Sequence, residues 1–380
     1  MAETTIDVPQ PPPSAVSCIF TESNLKPTAK VHGRLDSPGR ERRRDTWVIS
    51  VFVIAHLIAF FATMFVNNCP ANSVGERCAV PGLGMFSFQP VLENPLLGPS
   101  FSTFDKMGGL RRTLLEQHQV WRLFSSPWLH GGLIHLILDV VGTVYIGIYL
   151  EQEFGPVRIG AIYLLSALSG TFVAALFVCN TPVVTSSGAL LGLLGAKLSA
   201  ILRNWELYTH KASALLILSV LCVCNFSLGL LPYVDNYANV GGFISGMLLG
   251  FTLFFSPQIT SLHVHGVRKD GAKRSVDWKL KLDKPVLRSV SLVLFLVLLV
   301  GTLVAAILQV NISKQCDWCA YFDCIPSKRW SCHDITASCE SMISSSGLTL
   351  TCTSNGNFRL FPMTNISSTR TTELCTLICS

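Results

Sequence analysis

The alternation of apolar and polar stretches divides the chain into seven long apolar segments. A bilayer core of about 30 Å requires about 20 consecutive apolar residues in a helix. Backbone groups in lipid must be hydrogen-bonded internally, so these segments are predicted to be helices. The predicted spans 1 to 7 cover residues 47–66, 133–150, 159–179, 189–202, 212–231, 239–256 and 290–310. Because the first 45 residues are polar, we expect no cleavable leader, and span 1 would itself direct insertion.

The intervals between spans define the predicted domains. Residues 1–45 are proline-rich and lack apolar periodicity, so they are predicted to be a disordered tail. A membrane core follows over residues 46–256, with a long loop at 67–126. After it come a basic linker (257–288), the seventh span (289–310) and a cysteine-rich tail (311–380).

Composition and charge agree with a membrane protein. Hydrophobic residues make up 49% of the chain and charged residues 14%, with a mean hydropathy of +0.46. The net charge of +6 does not indicate nucleic-acid binding, since the basic residues cluster beside spans 1 and 7. By the positive-inside rule these segments are cytosolic, which predicts a cytosolic N-terminus and a lumenal C-terminus. Binding of the basic linker to anionic lipid stays open as an alternative.

The cysteines indicate an oxidising compartment. Cys69 and Cys78 lie close enough in sequence to close a small disulfide loop. Eight more cysteines follow the last span, and their density favours disulfides over a zinc site at Cys316-x-x-Cys319, with the pairing undetermined. These eight are Cys316, Cys319, Cys324, Cys332, Cys339, Cys352, Cys375 and Cys379. Asn311 and Asn365 begin glycosylation sequons, Asn311 close to the expected bilayer surface.

Candidate chemistry lies in spans 2, 4 and 6. A carboxylate within a span costs about 2.5–3.5 kcal/mol at mid-depth, so Asp139 should face protein or a polar cavity. His135 precedes Asp139 by four residues and shares its helix face. Two interpretations stay open: a pair that stabilises the helix end, or a polar cavity around Ser187. Glycines at four-residue spacing in span 6, Gly242 and Gly246, predict close packing against span 4.

Several motifs together resemble a rhomboid intramembrane serine protease, and in particular the plant rhomboid-like branch. They occur in the family's order between residues 47 and 256: Trp121-Arg122, His130, His135, Ser187-Gly188, Gly192, Gly241-Gly242 and Gly246. The resemblance implies an all-α polytopic fold with a rhomboid six-helix core plus one C-terminal helix, followed by a small disulfide-rich lumenal tail.

The resemblance also implies a Ser–His dyad, from which this sequence departs at three positions. Ser187 stands at the nucleophile position and His135 at an oxyanion-hole position. Asn239 stands where the family has the base histidine, Asp139 where it has an oxyanion-hole asparagine, and Thr185 where it has the first glycine of G-x-S-G. An amide cannot accept and return a proton near neutral pH. We therefore predict an inactive pseudoprotease.

Other functions are weighed against this interpretation. The main alternative is an active rhomboid endopeptidase with an altered centre, for instance one that uses His135 as the base, oriented by Asp139. A transporter or channel is weaker, since no inverted repeat is visible. The expected partners are transmembrane segments of client proteins and lipid, in the endomembrane system. No cofactor, metal or nucleic acid is expected.

Overall fold

The computed structural model describes residues 46–72, 78–91, 93–203, 205, 211–254, 285–316, 319–325, 339–344, 347–352, 356–362 and 368–379. The predicted tail 1–45, the basic linker up to residue 284, Cys332 and the sequon at Asn365 lie outside these residues.

Seven long helices correspond to the seven predicted spans. They are α1 (Trp47–Asn67), α2 (Leu133–Phe154), α3 (Pro156–Phe177), α4 (Ser187–Arg203), α5 (Lys211–Leu228), α6 (Asn236–Leu253) and α7 (Pro285–Ile307). Among the described residues, α1, α2, α3, α5 and α7 are long and apolar enough to cross a membrane. The chain is thus a helical, multi-pass membrane protein. Whether α4 and α6 also cross, as the seven-span topology requires, stays a prediction.

Helices α3, α4 and α6 form the centre of the bundle. Almost every side chain of α4 is buried, and its apolar residues join the largest core cluster with those of α3. Glycines permit the close approach of α4 and α6. A Cβ placed on Gly242 would overlap the carbonyl oxygen of Gly188, and one placed on Gly246 would overlap that of Gly192. Gly241 faces α3 instead, against Val173.

Helix α2 contains a π-helical turn, Thr143–Gly147, between two α-helical parts. Beyond this turn, Glu151 is fully buried and its carboxylate accepts hydrogen bonds from the backbone N–H groups of Val48 (2.9 Å) and Ile49 (3.1 Å). These are N–H groups of the first turn of α1, which have no partner within their own helix. Glu151 therefore fixes the start of α1 against the end of α2.

The long loop between α1 and α2 is ordered by buried polar groups. The Arg122 guanidinium donates to the carbonyl oxygens of Gly109 (2.8 Å) and Asp105 (2.7 Å) and lies over the exposed Trp121 ring. A disulfide joins Cys69 to Cys78. The loop includes short helices at Cys69–Asn72, Pro81–Phe86, Phe101–Met107, Arg112–Glu116, Arg122–Ser125 and Ser126–Trp128.

The cysteine-rich tail corrects the all-α expectation. After a short helix α8 (Cys319–Asp323) it forms an antiparallel sheet of β1 (Cys339–Ser344), β2 (Gly347–Cys352) and β3 (Phe358–Phe361), followed by α9 (Ser368–Cys379). Leu348, Leu350 and Phe361 of the sheet pack against Leu374 and Ile378 of α9.

Disulfides connect the elements of the tail. They join Cys316 to Cys319 and Cys339 to Cys375, and Cys324 and Cys352 are also disulfide-bonded. The structure describes the backbone of Cys379, at the end of α9, but not its side chain. Asn311 lies at the end of α7, beside Ile312, whose N–H donates to Leu176 of α3.

Candidate functional site

The loop before α4 is held by backbone pairing on two sides. Val183 pairs with Leu110 of the long loop, and Val184 pairs with Val234, just before α6. The two contacts fix the path of the chain into Ser187, the first residue of α4. They also bring the first turns of α4 and α6 to the same end of the bundle, which carries the cysteine-rich tail.

Ser187 and Asn239 are both buried, but no hydrogen bond joins them in the described structure. The Ser187 hydroxyl has no hydrogen-bond partner within the described structure. The Asn239 amide donates to the side-chain oxygen of Asn236 at 3.1 Å, and its own side-chain oxygen is buried without a partner there. Within the described residues, no base is therefore hydrogen-bonded to the serine, as its activation would need.

Thr185 is integrated into the loop rather than strained against it. Its hydroxyl shares hydrogen bonds with the Thr171 hydroxyl of α3 (2.7 Å) and the Ser126 hydroxyl (3.1 Å). Its backbone N–H donates to the Ser126 carbonyl oxygen. The threonine thus ties the start of α4 to α3, an anchor that a glycine could not supply.

Asp139 is the centre of a buried polar cluster. Its Oδ2 lies 3.1 Å from His135 Nε2 and accepts a hydrogen bond of 3.2 Å from the Ser186 hydroxyl. His130 Nε2 lies farther away, at 3.6 Å, and the other carboxylate oxygen has no partner in the described structure. The serine that reaches this cluster is Ser186, whereas Ser187 does not hydrogen-bond to it.

Both ring nitrogens of His135 lie against groups other than Ser187. Nδ1 accepts a hydrogen bond from the Gly131 N–H at 3.1 Å, so the neutral ring carries its proton on Nε2. Nε2 faces Asp139, in a contact too poorly aligned to count as a hydrogen bond. The sequence placed His135 and Asp139 on one face, and they do meet, but the geometry offers no nitrogen to accept a proton from Ser187.

Residues from two other helices complete the cluster. His56 of α1 hydrogen-bonds to the Tyr163 hydroxyl of α3 at 2.7 Å, and its ring contacts that of His130 edge-on. A cavity of about 10 Å³, the size of about one water molecule, lies among them. It is lined by Val53, His56, His130, Asp139, Val140, Thr143, Tyr163 and Ser186. Neither His56 nor Tyr163 is predicted from the sequence as part of a site. For His56 the available signal is a histidine within an apolar span, just as Asp139 is a carboxylate within one.

Among the described residues, no three or more histidine, cysteine or acidic side chains are arranged to hold a metal ion.

Comparison of the sequence with known proteins identifies the family of the chain. The model of the Rhomboid domain matches residues 117–256. "Inactive RHOMBOID-like protein 8" of Arabidopsis thaliana is 49% identical over 305 residues, which cover 79% of this chain and 87% of that protein. The chain belongs to the rhomboid family. Two further Arabidopsis relatives are RHOMBOID-like protein 1, at 41% identity over 88% of this chain and 85% of its own, and RHOMBOID-like protein 2, at 45% over 77% and 92%.

The rhomboid match spans α2 to α6 and includes the candidate site except for the residues of α1, such as His56. Together with the Arabidopsis relatives, it confirms the predicted family and its plant rhomboid-like group. Within this rhomboid, the Ser187 hydroxyl has no hydrogen-bond partner in the described structure, and the Asn239 amide donates to Asn236 of its own helix; that the two stand at the positions of the dyad stays a prediction.

Proposed function

We propose that this rhomboid is a pseudoprotease that binds transmembrane segments of client membrane proteins and thereby affects their trafficking or turnover. The observation that carries the proposal is the side chain of Asn239. By the resemblance of the motifs it stands at the position of the base, and it donates a hydrogen bond to Asn236 on the same helix. The word "inactive" in the name of the Arabidopsis relative supports the same conclusion.

The scaffold that would receive a client is intact. Helix α5 buries only Leu218, Asn225 and Leu228 among its side chains, so most of its surface is available to lipid or to another helix. Inside the bundle, Ser187 Oγ, Asn239 Oδ1 and Asp139 Oδ1 are buried without partners in the described structure. Unsatisfied polar atoms in an apolar setting favour a ligand that brings hydrogen-bonding groups. A client helix with a polar residue or a locally unwound backbone has that chemistry.

The proposed setting is the endomembrane system, with the N-terminus in the cytosol and the cysteine-rich tail in the lumen. The disulfides of the tail require an oxidising compartment, which supports this orientation.

Proteolysis is tested by reconstitution of the full chain with a fluorogenic transmembrane substrate, beside a Ser187→Ala variant. We expect the same background signal from both. Cleavage by the wild-type chain that disappears in Ser187→Ala would overturn the pseudoprotease proposal.

Client binding is tested by site-specific photo-crosslinking in cells. A photoreactive residue replaces Leu216 on α5, which is 65% exposed, and in the control it replaces Val297 on α7, which is 64% exposed. We expect a defined set of transmembrane proteins to be captured at Leu216 but not at Val297. Equal capture at both positions would mean non-specific contact in the bilayer.

A further inference from the structure

The first turn of α6 carries a contact with the tail that the motifs of the family do not explain. The Tyr237 hydroxyl donates to the carbonyl oxygen of Cys319 at 2.9 Å, and the Asn236 amide donates to that of Phe322, also at 2.9 Å. The Tyr237 ring stacks on Phe177 of α3 and meets the Phe322 ring edge-on at 5.2 Å. Helix α8 is therefore docked on the bundle at Asn236 and Tyr237, three and two residues before Asn239.

The same short helix also touches α5. The Phe322 ring lies 6.3 Å from that of Phe226 near the end of α5, and the Ile325 N–H donates to the Leu230 carbonyl oxygen in the following loop. The end of α5 is also held in the bundle by Leu228, which packs with Leu96 and Val234, so the contacts with α8 add a second attachment there. The disulfide between Cys316 and Cys319 fixes the start of α8 relative to the end of α7.

Two carboxyl groups face each other within this contact. Asp235 is fully buried and caps α6, accepting a hydrogen bond from the Ala238 N–H at 2.7 Å. Asp323, the last residue of α8, accepts one from the Asn236 N–H and lies within hydrogen-bond reach of Asp235. Asp235 Oδ2 has no donor in the described structure. A carboxylate donates nothing, so the two groups can bond to each other only if one of them holds a proton.

The surroundings favour that proton. Burial raises the pKa of Asp235 to about 6. Burial and the neighbouring Asp235 carboxylate raise the pKa of Asp323 well above its usual range. The other titratable groups near the pair in the described structure are the Tyr237 phenol of α6 and the Cys179 thiol after α3, both neutral when protonated. Among the described residues no basic side chain contributes to either shift, so ionisation of both carboxyls would place two like charges side by side at the contact.

We propose that α8 is an acid-stabilised latch, in which a proton shared by Asp235 and Asp323 holds the tail on the ends of α5 and α6 and loss of that proton releases it. A carboxyl group whose pKa is raised in the docked state binds its proton more tightly there than when released. Docking is therefore favoured in acid and weakens as the pH rises through about 6. The pair titrates as a unit.

The latch is tested by hydrogen–deuterium exchange of the full chain in lipid nanodiscs at pH 5.0 and 7.5, with rates corrected for the intrinsic effect of pH. From the Asp235 shift alone, protection of residues 319–325 should fall about tenfold between the two pH values. Peptides from α4 should keep their protection and so report that the bundle is intact. Equal protection of residues 319–325 at both pH values in the wild-type chain would overturn the proposal.

Variants separate the shared proton from other effects of pH. Asp323→Asn supplies a permanent N–H donor to Asp235 and keeps an oxygen for the Asn236 N–H, so it should stay protected at both pH values. Asp235→Asn retains the cap of α6 and should behave in the same way. Asp323→Ala should be unprotected at both. The matched control Glu340→Gln changes an exposed carboxylate on β1 and should retain the wild-type response. A wild-type response in both Asp323→Asn and Asp235→Asn would also overturn the proposal.

The effect of the latch on clients rests on the proposed function. Release of α8 would remove one of the attachments of the end of α5, and crosslinking from Leu216 on this helix should then rise with pH in the wild-type chain but not in Asp323→Asn. Capture of no client at either pH, with the exchange response intact, would refute client binding and leave the latch. Crosslinking from Leu216 that is the same at both pH values, together with pH-independent exchange of residues 319–325, would refute the latch and leave client binding standing.

Discussion

Asn239 donates a hydrogen bond of 3.1 Å to the side-chain oxygen of Asn236, one turn earlier on α6. In the proposed pseudoprotease, replacement of the base by this amide would change more than the basicity of the group. The side chain has found a partner on its own helix, and the serine hydroxyl is left without one in the described structure.

The first prediction concerns repair of this centre. The triple variant Asn239→His, Asp139→Asn, Thr185→Gly should react with a serine-directed fluorophosphonate probe, because the base returns and no carboxylate opposes the oxyanion. The wild-type chain should not react detectably, since loss of the base in a serine protease costs about 10⁶-fold in turnover. Labelling is measured by in-gel fluorescence. The triple variant that also carries Ser187→Ala should be unlabelled, and absence of labelling in the triple variant itself would show that more than these three residues has changed.

The second prediction concerns the buried Glu151. Glu151→Ala leaves the N–H groups of Val48 and Ile49 without their acceptor and should lower the free energy of unfolding by about 2–4 kcal/mol. Glu151→Gln retains one acceptor oxygen and should cost about half as much. Thermal unfolding in detergent measures both. The control is Glu116→Gln, a half-exposed partner of Arg112, which should cost less than about 1 kcal/mol. An equal loss of unfolding free energy in Glu116→Gln and in Glu151→Gln would contradict the role of Glu151 in fixing the start of α1.

The third prediction concerns the seam between α4 and α6. Gly242→Ala places a Cβ against the Gly188 carbonyl oxygen, so the two helices must separate. We expect a loss of at least about 2 kcal/mol in unfolding free energy. Gly301→Ala in α7 is the matched control, since nothing lies within 4 Å of its Cβ position. That variant should leave the unfolding midpoint unchanged or raise it. A Gly242→Ala variant as stable as the wild-type chain would mean that α4 and α6 have room for a Cβ between Gly242 and Gly188.

The fourth prediction separates two roles of Thr185. Thr185→Val keeps the shape but removes the hydroxyl shared with Ser126 and Thr171, and it should destabilise the fold by about 1–3 kcal/mol. Thr185→Ser keeps the hydroxyl and should cost less than about 1 kcal/mol. Denaturant unfolding in micelles distinguishes the two. If valine and serine were equally tolerated, the threonine would be a passive replacement for glycine rather than an anchor.

Sequence reasoning succeeded where spacing along one helix decides the contact. His135 and Asp139 meet because four residues separate them, and the glycines of α6 face α4 because they recur at the same interval. It failed where partners come from distant segments. Neither His56 with Tyr163 nor Glu151 with Val48 could be paired from local pattern.

The tail shows the same limit. Strand β1 is exposed along nearly its whole length and shows no alternation, and cysteine density gave no indication of a sheet. Strand β2 does alternate, with Leu348, Leu350 and Cys352 buried between threonines, and this short pattern was the available signal for a strand. The docking of Asp323 on α6 joins positions almost ninety residues apart, and only the folded chain brings them together.

The π-helical turn in α2 has a consequence for how the helix came to serve two sites. A π turn is one extra residue in an α-helix, and each α-helical residue turns the chain by about 100°. Asp139 lies before the turn and Glu151 after it, one in the polar cluster and the other under α1. The π turn accommodates its extra residue within one wider turn, so deletion of a residue such as Val144 should restore a regular α-helix and keep Asp139 and Glu151 in nearly the same relative direction. If all residues were kept and the turn became α-helical, Glu151 would rotate by about 100° away from the start of α1. The turn therefore sets the angle between the polar cluster and the contact with α1.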